Sequence, residues 1–437
     1  MEYKIYNNNC LEQLDQLQEN CIDSIVTDPP YELNFMGKGW DNAGVSFNKE
    51  TWQKCLRVLK PGGYLLAFGG SRTFHRIAVA IEDAGFEIRD TIMWLYGSGF
   101  PKSMNIGLAI DKRNGVDNRT GNIVQGMASN NTESLNNHKY ETQNFKKEYE
   151  ERVAQNEWAG WGTALKPSFE PIVVARKPFK GSLVDNVIEW GVGGLNIDEC
   201  RVGTEEISYY PTDLTEAHSN KFGNGAYMPK DTTKPPISHN GRFPANTILT
   251  YDQITFDEVC GGFPQNQKPA GNKKAVNYDN KDYDNSSYKI NYTHNPKIAG
   301  DNGGSASRYF YCAKASKKDR DEGLNEFEDK KFYSNLNTKN GSGERLDGGK
   351  TPIRKNIHPT VKPTELMQYL VRLVTPNGGT VLDPFMGSGS TGKAVAYENQ
   401  ERNKDYKFIG IELNKEYCEI AKARINYAGG KNEEESI

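Results

Sequence analysis

Two periods of apolar residues take turns over the first hundred positions of the chain. Ile5 opens a short strand, and Leu11, Leu14 and Leu17 then recur at helical spacing. Residues Ile22 to Thr27 read as a buried strand. Trp52, Cys55, Leu56 and Leu59 share one helical face, which stops at Lys60-Pro61-Gly62-Gly63. Tyr64 to Phe68 predict a second buried strand, Phe74 to Ala84 a helix ended by Gly85, and Ile88 to Leu95 a further strand. Strand and helix in alternation predict a parallel sheet with helices on its faces.

The rhythm lapses over 101–165, which is polar and rich in Asn, and returns for one strand within 166–180, Phe169 to Phe179. Residues 181–345 are again polar. Over 346–437 the alternation resumes: a helix from Thr364 to Val374, a strand Thr380 to Leu382, a glycine-rich turn and a helix to Gln400. A strand Phe408 to Ile411 and a helix Tyr417 to Ile425 complete it. The expectation is one α/β domain assembled from 1–100, 166–180 and 346–437, with a polar insert at 101–165 and a polar module at 181–345.

Composition narrows this picture only slightly. A chain of 437 residues is too long for one ordinary core. Its mean hydropathy of -0.75 suits long polar loops. No apolar run approaches bilayer length and no signal-type block opens the sequence, so a cytoplasmic protein without a membrane partner is expected. Seven cysteines, none spaced C-x-x-C, argue against a zinc ribbon or disulfide framework, and six histidines without an H-x-x-x-H pair predict no metal site. A net charge of -3 neither favours nor excludes nucleic acid, because basic groups can gather on one face.

Two stretches carry candidate chemistry. The strand at residues 22–27 runs into Asp28-Pro29-Pro30-Tyr31, and two prolines cannot continue a sheet ladder because neither has an N–H to donate. An acid, a stiffened carbonyl and an aromatic ring are thus left together at a sheet edge. The second stretch is GGTVLDPFMGSGSTGKAV, in which Asp383 ends a strand and Gly387, Gly389 and Gly392 lead into a helix. Glu412 closes the next strand, where an acid reads as a ribose-hydroxyl acceptor. The glycines fit a nicotinamide enzyme or one that uses S-adenosylmethionine, and also a turn with no ligand. Asp383 suits the second, whose cofactor carries a cationic amino acid end.

Taken in order, DPPY, HPTVKP (His358 to Pro363), DPFMGSGST (Asp383 to Thr391) and IGIELN (Ile409 to Asn414) resemble the exocyclic-amino DNA methyltransferases of phages, prophages and bacteria. Catalytic motif first and cofactor motif last is similar to their circularly permuted beta group. LKPGGYLLAFGG, IMWLYGSGFPKS, FEPIVVARKP, GRFPAN and FYCAKASKKDRDEGL carry the same resemblance. It implies a Rossmann-like, circularly permuted sheet, with a DNA-recognition module in the polar insertion.

The resemblance also implies roles. Asp28 and the Pro29 carbonyl, stiffened by Pro30, would accept the two N–H bonds of a base amino group and stabilise positive charge there. Tyr31 would stack on a base turned out of the duplex. S-adenosylmethionine would lie against Asp383, Pro384, Phe385, Gly387, Gly389, Ser390 and Thr391, with Glu412 on its ribose and His358, Thr360 and Lys362 along the same cleft. The family's Gly-Asp-Cys near the cofactor adenine is here Asn8-Asn9-Cys10, so Asn9 would replace an acid with a neutral acceptor beside Cys10.

Double-stranded DNA is the implied partner, and by analogy a homodimer and a restriction endonuclease. Lys268 to Lys297 and Arg308 to Arg320 are candidate DNA contacts, as are Arg72, His75 and Arg76. D-P-P-Y is linked in the family mostly with adenine N6, and S-P-P-Y with cytosine N4. The expectation is therefore an adenine-N6 enzyme, with cytosine N4 as alternative. RNA or protein-amide methylation, and an inactive DNA-binding protein of the same fold, are the remaining readings.

Overall fold

A computed structural model describes residues 1–33, 44–96, 103–127, 146–209, 237–250, 310–311, 315–331 and 353–430. The chain divides into two compact units, one of Met1–Cys200, Asn246–Thr250 and Cys312–Ile437, the other of Arg201–Ala245 and Tyr251–Tyr311.

The first unit is built on a sheet of strands β1 (Tyr3–Asn7), β2 (Ile22–Thr27), β3 (Leu59–Phe68), β4 (Glu87–Tyr96), β5 (Phe169–Arg176), β6 (Thr247–Thr250), β7 (Thr380–Asp383) and β8 (Lys407–Glu412). Their spatial order is β1-β8-β7-β2-β3-β5-β4-β6. Every neighbouring pair is parallel except those made by β5, which runs antiparallel to β3 and β4. All six residues of β2 are buried, as a parallel strand covered on both faces requires.

The helices of this unit include α1 (Cys10–Gln16), α2 (Lys49–Val58), α3 (Phe74–Asp83), α4 (Ile106–Arg113), α5 (Leu183–Trp190), α6 (Thr364–Val374), α7 (Ser390–Arg402) and α8 (Lys415–Ala428). Leu14, Trp52, Cys55, Ile77 and Ile81 from the first three pack with Ile22, Ile25, Leu65 and Leu382 of the sheet in one core. Full burial of each such aliphatic side chain is worth about 1.5–3 kcal/mol. Trp52 also places its indole N–H on the Ser46 carbonyl at 2.9 Å, so the largest core side chain keeps its polar atom satisfied.

The glycine-turn strand β7 and the DPPY strand β2 are direct neighbours, with Leu382 opposite Ile25. From this pair β8 and β1 lie to one side and β3 to the other, so the strand order reverses between β7 and β2. Ligands of open α/β sheets bind at such a reversal, beyond the carboxyl ends of the strands. The sheet is Rossmann-like with its two halves exchanged in chain order.

Some elements depart from expectation. Leu59 to Gly63, expected to end a helix, instead begins β3, with a register shift opposite Ile22 and Ser24. Residues 101–165 hold α4 and a strand pair, Arg119–Met127 with Lys146–Arg152. The described part of the second unit pairs Val202–Tyr209 with Ile237–Arg242. Among the described residues no helix is long and apolar enough to cross a membrane. No cluster of three or more His, Cys, Asp or Glu residues that could hold a metal ion occurs among them either.

Candidate active site

The parallel strands β2, β7 and β8 bring Asp28, Asp383 and Glu412 to one edge of the sheet. All three border a single cavity of about 1420 Å³, beyond the roughly 300–1,000 Å³ of ordinary ligand clefts and large enough for more than one ligand. Asn9, Cys10, Pro29, Pro30, Tyr31, His358, Thr360, Lys362, Pro384, Phe385, Gly387, Ser390 and Thr391 also line it.

Gly389 does not line the cavity. It has φ +77° at the start of α7, and a side-chain carbon there would come 2.8 Å from Ala421 Cβ. That position needs a glycine for the close packing of α7 on α8.

Asp383 ties the two halves of the chain together. Its Oδ1 accepts from the Thr27 hydroxyl at 2.7 Å and from the Phe385 N–H at 3.1 Å, and its Oδ2 from the Thr391 hydroxyl at 2.6 Å. Burial pushes its carboxyl up to about 6, with the hydroxyl bonds working against that rise. Phe385 reaches back to Trp52 with ring centroids 6.3 Å apart.

The turn that follows packs tightly on His358. Gly387 has φ +54°, and a side-chain carbon there would lie 2.7 Å from His358 Nε2. The Gly387 N–H donates to Glu412 Oε2 at 2.9 Å and the Asn414 N–H to Oε1 at 2.7 Å, which leaves lone pairs on both oxygens for a ligand. Burial raises the Glu412 carboxyl above its ordinary value. His358 Nδ1 lies 2.7 Å from the Thr360 carbonyl, so it carries the proton and Nε2 faces the turn as an acceptor. Desolvation draws this imidazole down to about 4, and it stays neutral.

At the amino-terminal side, Asn9 caps α1, its side-chain oxygen accepting from the Leu11 N–H at 2.9 Å. One lone pair remains for a ligand. The Cys10 thiol, pushed up to about 11 by burial, stays protonated.

The DPPY corner is more heavily bonded than expected. Lys362 Nζ donates to Asp28 Oδ2 at 2.6 Å and to the Tyr31 hydroxyl at 3.2 Å, and lies 3.3 Å from Glu170 Oε2. Tyr31 donates to that same Glu170 oxygen at 2.7 Å, and Tyr96 to Oε1 at 3.2 Å. Lys362, expected beside the cofactor, is thus bonded to the DPPY acid. Asp28 Oδ1 is buried and has no hydrogen-bond partner among the described residues. Burial raises the Asp28 carboxyl, and the Lys362 ammonium lowers it again in part.

Glu170 and Tyr96 were not among the expected site residues. The one signal for Glu170 was a carboxylate opening an otherwise apolar strand, which needs a cation or hydroxyl partner. Of the candidate DNA contacts, Arg72 lines the cavity, Arg76 lies over the Phe47 ring at 5.2 Å, and His75 is exposed. The Lys268–Lys297 stretch lies outside the described residues. The basic run 308–320 is described only at 310–311 and from 315. There Asp319 receives the buried Lys393 ammonium at 3.0 Å, which fastens that turn to α7, while Lys317 is exposed.

The family model N6_N4_Mtase, DNA methylase, matches residues 22–423. The type II methyltransferase M.HindIII of Haemophilus influenzae is 24% identical over 234 residues, 44% of this chain and 64% of that protein. M.HpaI of Haemophilus parainfluenzae is 36% identical over 112 residues, 24% of this chain and 35% of that one. The DNA adenine methyltransferase YhdJ of Escherichia coli is 41% identical over 78 residues, 18% of this chain and 24% of its own. The chain spans less than two thirds of the length of each of these relatives. With 402 of its 437 positions inside the family match, this chain belongs to the N6/N4 DNA methylase family.

Proposed function

We propose that the protein transfers a methyl group from S-adenosylmethionine to an exocyclic amino group of a base in duplex DNA, adenine N6. The observation that carries this reading is the shared cavity: an unpartnered Asp28 oxygen and the Gly387 turn border the same space. The donor set fits the cofactor. Glu412 offers free lone pairs to ribose hydroxyls and Asp383 an anion for an ammonium. S-adenosylmethionine supplies, when bound, an electrophilic methyl on a sulfonium.

The rest falls to the chain. A base amino group is a poor nucleophile because its lone pair is delocalised into the ring. Asp28 Oδ1 accepts one of its hydrogens and the Pro29 carbonyl the other, which draws the nitrogen toward tetrahedral geometry. The same two acceptors stabilise the positive charge that develops on it. No strong base is needed before the methyl moves. The cationic nitrogen then sheds one proton, and Asp28 Oδ1, already the acceptor of one of its hydrogens, is placed to take it. Tyr31 presents its ring to the extruded base while its hydroxyl stays on Glu170.

Adenine is favoured by the D-P-P-Y form of the motif and by the likeness to an adenine methyltransferase. Tritiated methyl transfer to unmethylated duplex DNA, followed by nucleoside analysis, tests the reading. Label in N6-methyladenine supports it, label in N4-methylcytosine moves the target, and none overturns it. Duplex DNA is accordingly the proposed partner, and a homodimer and a restriction endonuclease partner remain proposals by analogy.

A further inference from the structure

Lys362 carries a full charge inside the protein, with its side chain 8% exposed, and each of its three N–H bonds has an acceptor within reach: Asp28 at 2.6 Å, the Tyr31 hydroxyl at 3.2 Å and Glu170 at 3.3 Å. The ammonium also sits 4.8 Å from the Phe68 ring centroid and 5.3 Å from that of Tyr31. Glu170 arrives from β5, which runs antiparallel to both β3 and β4, and its second oxygen is held by the Tyr96 hydroxyl of β4. A buried trio of charges is no more stabilising than apolar side chains of equal volume. The trio is also incomplete, because Asp28 Oδ1 is left without a partner among the described residues.

We propose that Lys362 and Glu170 are positioning residues of the base pocket. Lys362 grips one oxygen of Asp28 so that the other faces the base amino group, while Glu170 holds both Lys362 and the Tyr31 hydroxyl. This deepens the functional reading above and rests on it. The geometry sets two things at once. Asp28 cannot rotate without breaking its bond to Lys362, so the acceptor oxygen is aimed before the base arrives. Two carboxylates around one ammonium also leave one surplus negative charge, which matches the single positive charge that reaches the amino nitrogen with the methyl. Without Lys362 the two carboxylates repel each other and compete for a proton. Without the Glu170 charge, Asp28 is neutralised by the lysine it faces.

The test uses single-turnover methyl transfer from tritiated S-adenosylmethionine to amplified duplex DNA of mixed sequence, both saturating, across pH 5 to 9. Asp28 is faced by Lys362, Glu170 and Tyr31, and by Asp383 from the neighbouring strand. Lys362 lowers its carboxyl and Glu170 raises it, so the two substitutions pull the acid limb of the rate in opposite directions. Lys362→Met moves the limb to higher pH and Lys362→Arg leaves it near its original place. Glu170→Gln moves it to lower pH and reduces the plateau by about tenfold, the loss expected for weakening one hydrogen bond to a charged group. Cofactor affinity stays within about twofold in all three, since none of the bonds in question reaches the Gly387 turn.

A purely structural role would lower the rate without moving the limb. Limbs that ignore both charge changes, or cofactor affinity falling as far as the rate, overturn the proposal. If Lys362→Met fails to fold in a thermal melt, Glu170→Gln still decides. A wild-type protein that methylates no DNA overturns the functional reading and this one with it, whereas an active wild type with unmoved limbs overturns this one alone.

Discussion

The Thr27 hydroxyl donates to Asp383 Oδ1 at 2.7 Å, joining residues 356 positions apart in the chain. Thr27 ends the strand that leads to Asp28, and Asp383 ends the strand that leads to the glycine turn. The bond therefore sets the catalytic corner and the proposed cofactor turn in one frame. Both side chains are buried. Thr27→Val keeps the shape and removes the hydroxyl. It is expected to cost about 1–3 kcal/mol of stability, the range for leaving a buried acceptor short of a partner. Denaturant unfolding of the two proteins measures this, and an unchanged midpoint would mean that the bond carries nothing.

Gly387 combines a left-handed backbone with close packing against His358. A side chain there meets both obstacles, and a non-glycine residue in such a conformation costs about 1–3 kcal/mol. Gly387→Ala should weaken S-adenosylmethionine binding by about tenfold or more in titration calorimetry, because the turn must shift away from Glu412. Gly389→Ala should act differently, lowering the melting temperature through its collision with Ala421, with less effect on affinity in the fraction that folds.

How much of this was legible in the sequence depended on whether a residue's partners were local. Helix α6 was predicted at both ends, Thr364 and Val374, because its amphipathic stripe starts just after a proline. Strand β3 was predicted too short. Pro61 and Gly62 read as a stop, yet Asn186 donates to the Pro61 carbonyl at 3.0 Å and the Gly62 N–H bonds to the Lys177 carbonyl at 3.0 Å. Those partners lie more than a hundred residues away and supply what the local turn would have supplied. The strand pair at 119–127 and 146–152 lacks apolar alternation and gave no signal. Asp28, Tyr31, Asp383 and Glu412 were legible as a family pattern. Glu170 was not, because the lysine that makes it part of the site stands 192 positions later.

Cofactor affinity should depend on pH through Asp383. Its carboxyl sits at about 6, above the ordinary value of 3.8, because burial disfavours the charge. For folding the sign is unfavourable: the native state holds a proton that the unfolded chain releases earlier. Stability from this group therefore falls as pH rises from about 4 to about 6. For an ammonium-bearing ligand the sign reverses, since the ligand prefers the ionised form. Affinity for S-adenosylmethionine should then weaken by about tenfold between pH 7 and pH 5. Asp383→Asn should flatten that dependence at a lower overall affinity, whereas Glu412→Gln should lower affinity and keep it. Calorimetric titrations at pH 5, 6 and 7 separate the two.

Removing the Asp28 carboxylate should separate chemistry from cofactor binding. Its free oxygen has no bond to the glycine turn, and its other oxygen bonds to Lys362, so Asp28→Ala leaves Glu412, Gly387 and Asp383 with their own partners. The base amino group would lose one acceptor and the charge that stabilises its developing cation. Preorganised electrostatic groups of this kind are worth about 10²–10³-fold in rate. Transfer to duplex DNA should fall by at least that factor while S-adenosylmethionine affinity changes by less than about threefold. The substitution also strands the Lys362 ammonium beside Glu170 alone, so Asp28→Asn, which keeps an oxygen for the lysine, is the cleaner variant. It should be nearly as inactive as alanine, since an amide can fill the space but cannot stabilise the charge. Substantial methyl transfer by Asp28→Asn would show that geometry at this position matters more than charge, and would remove the carboxylate from the mechanism.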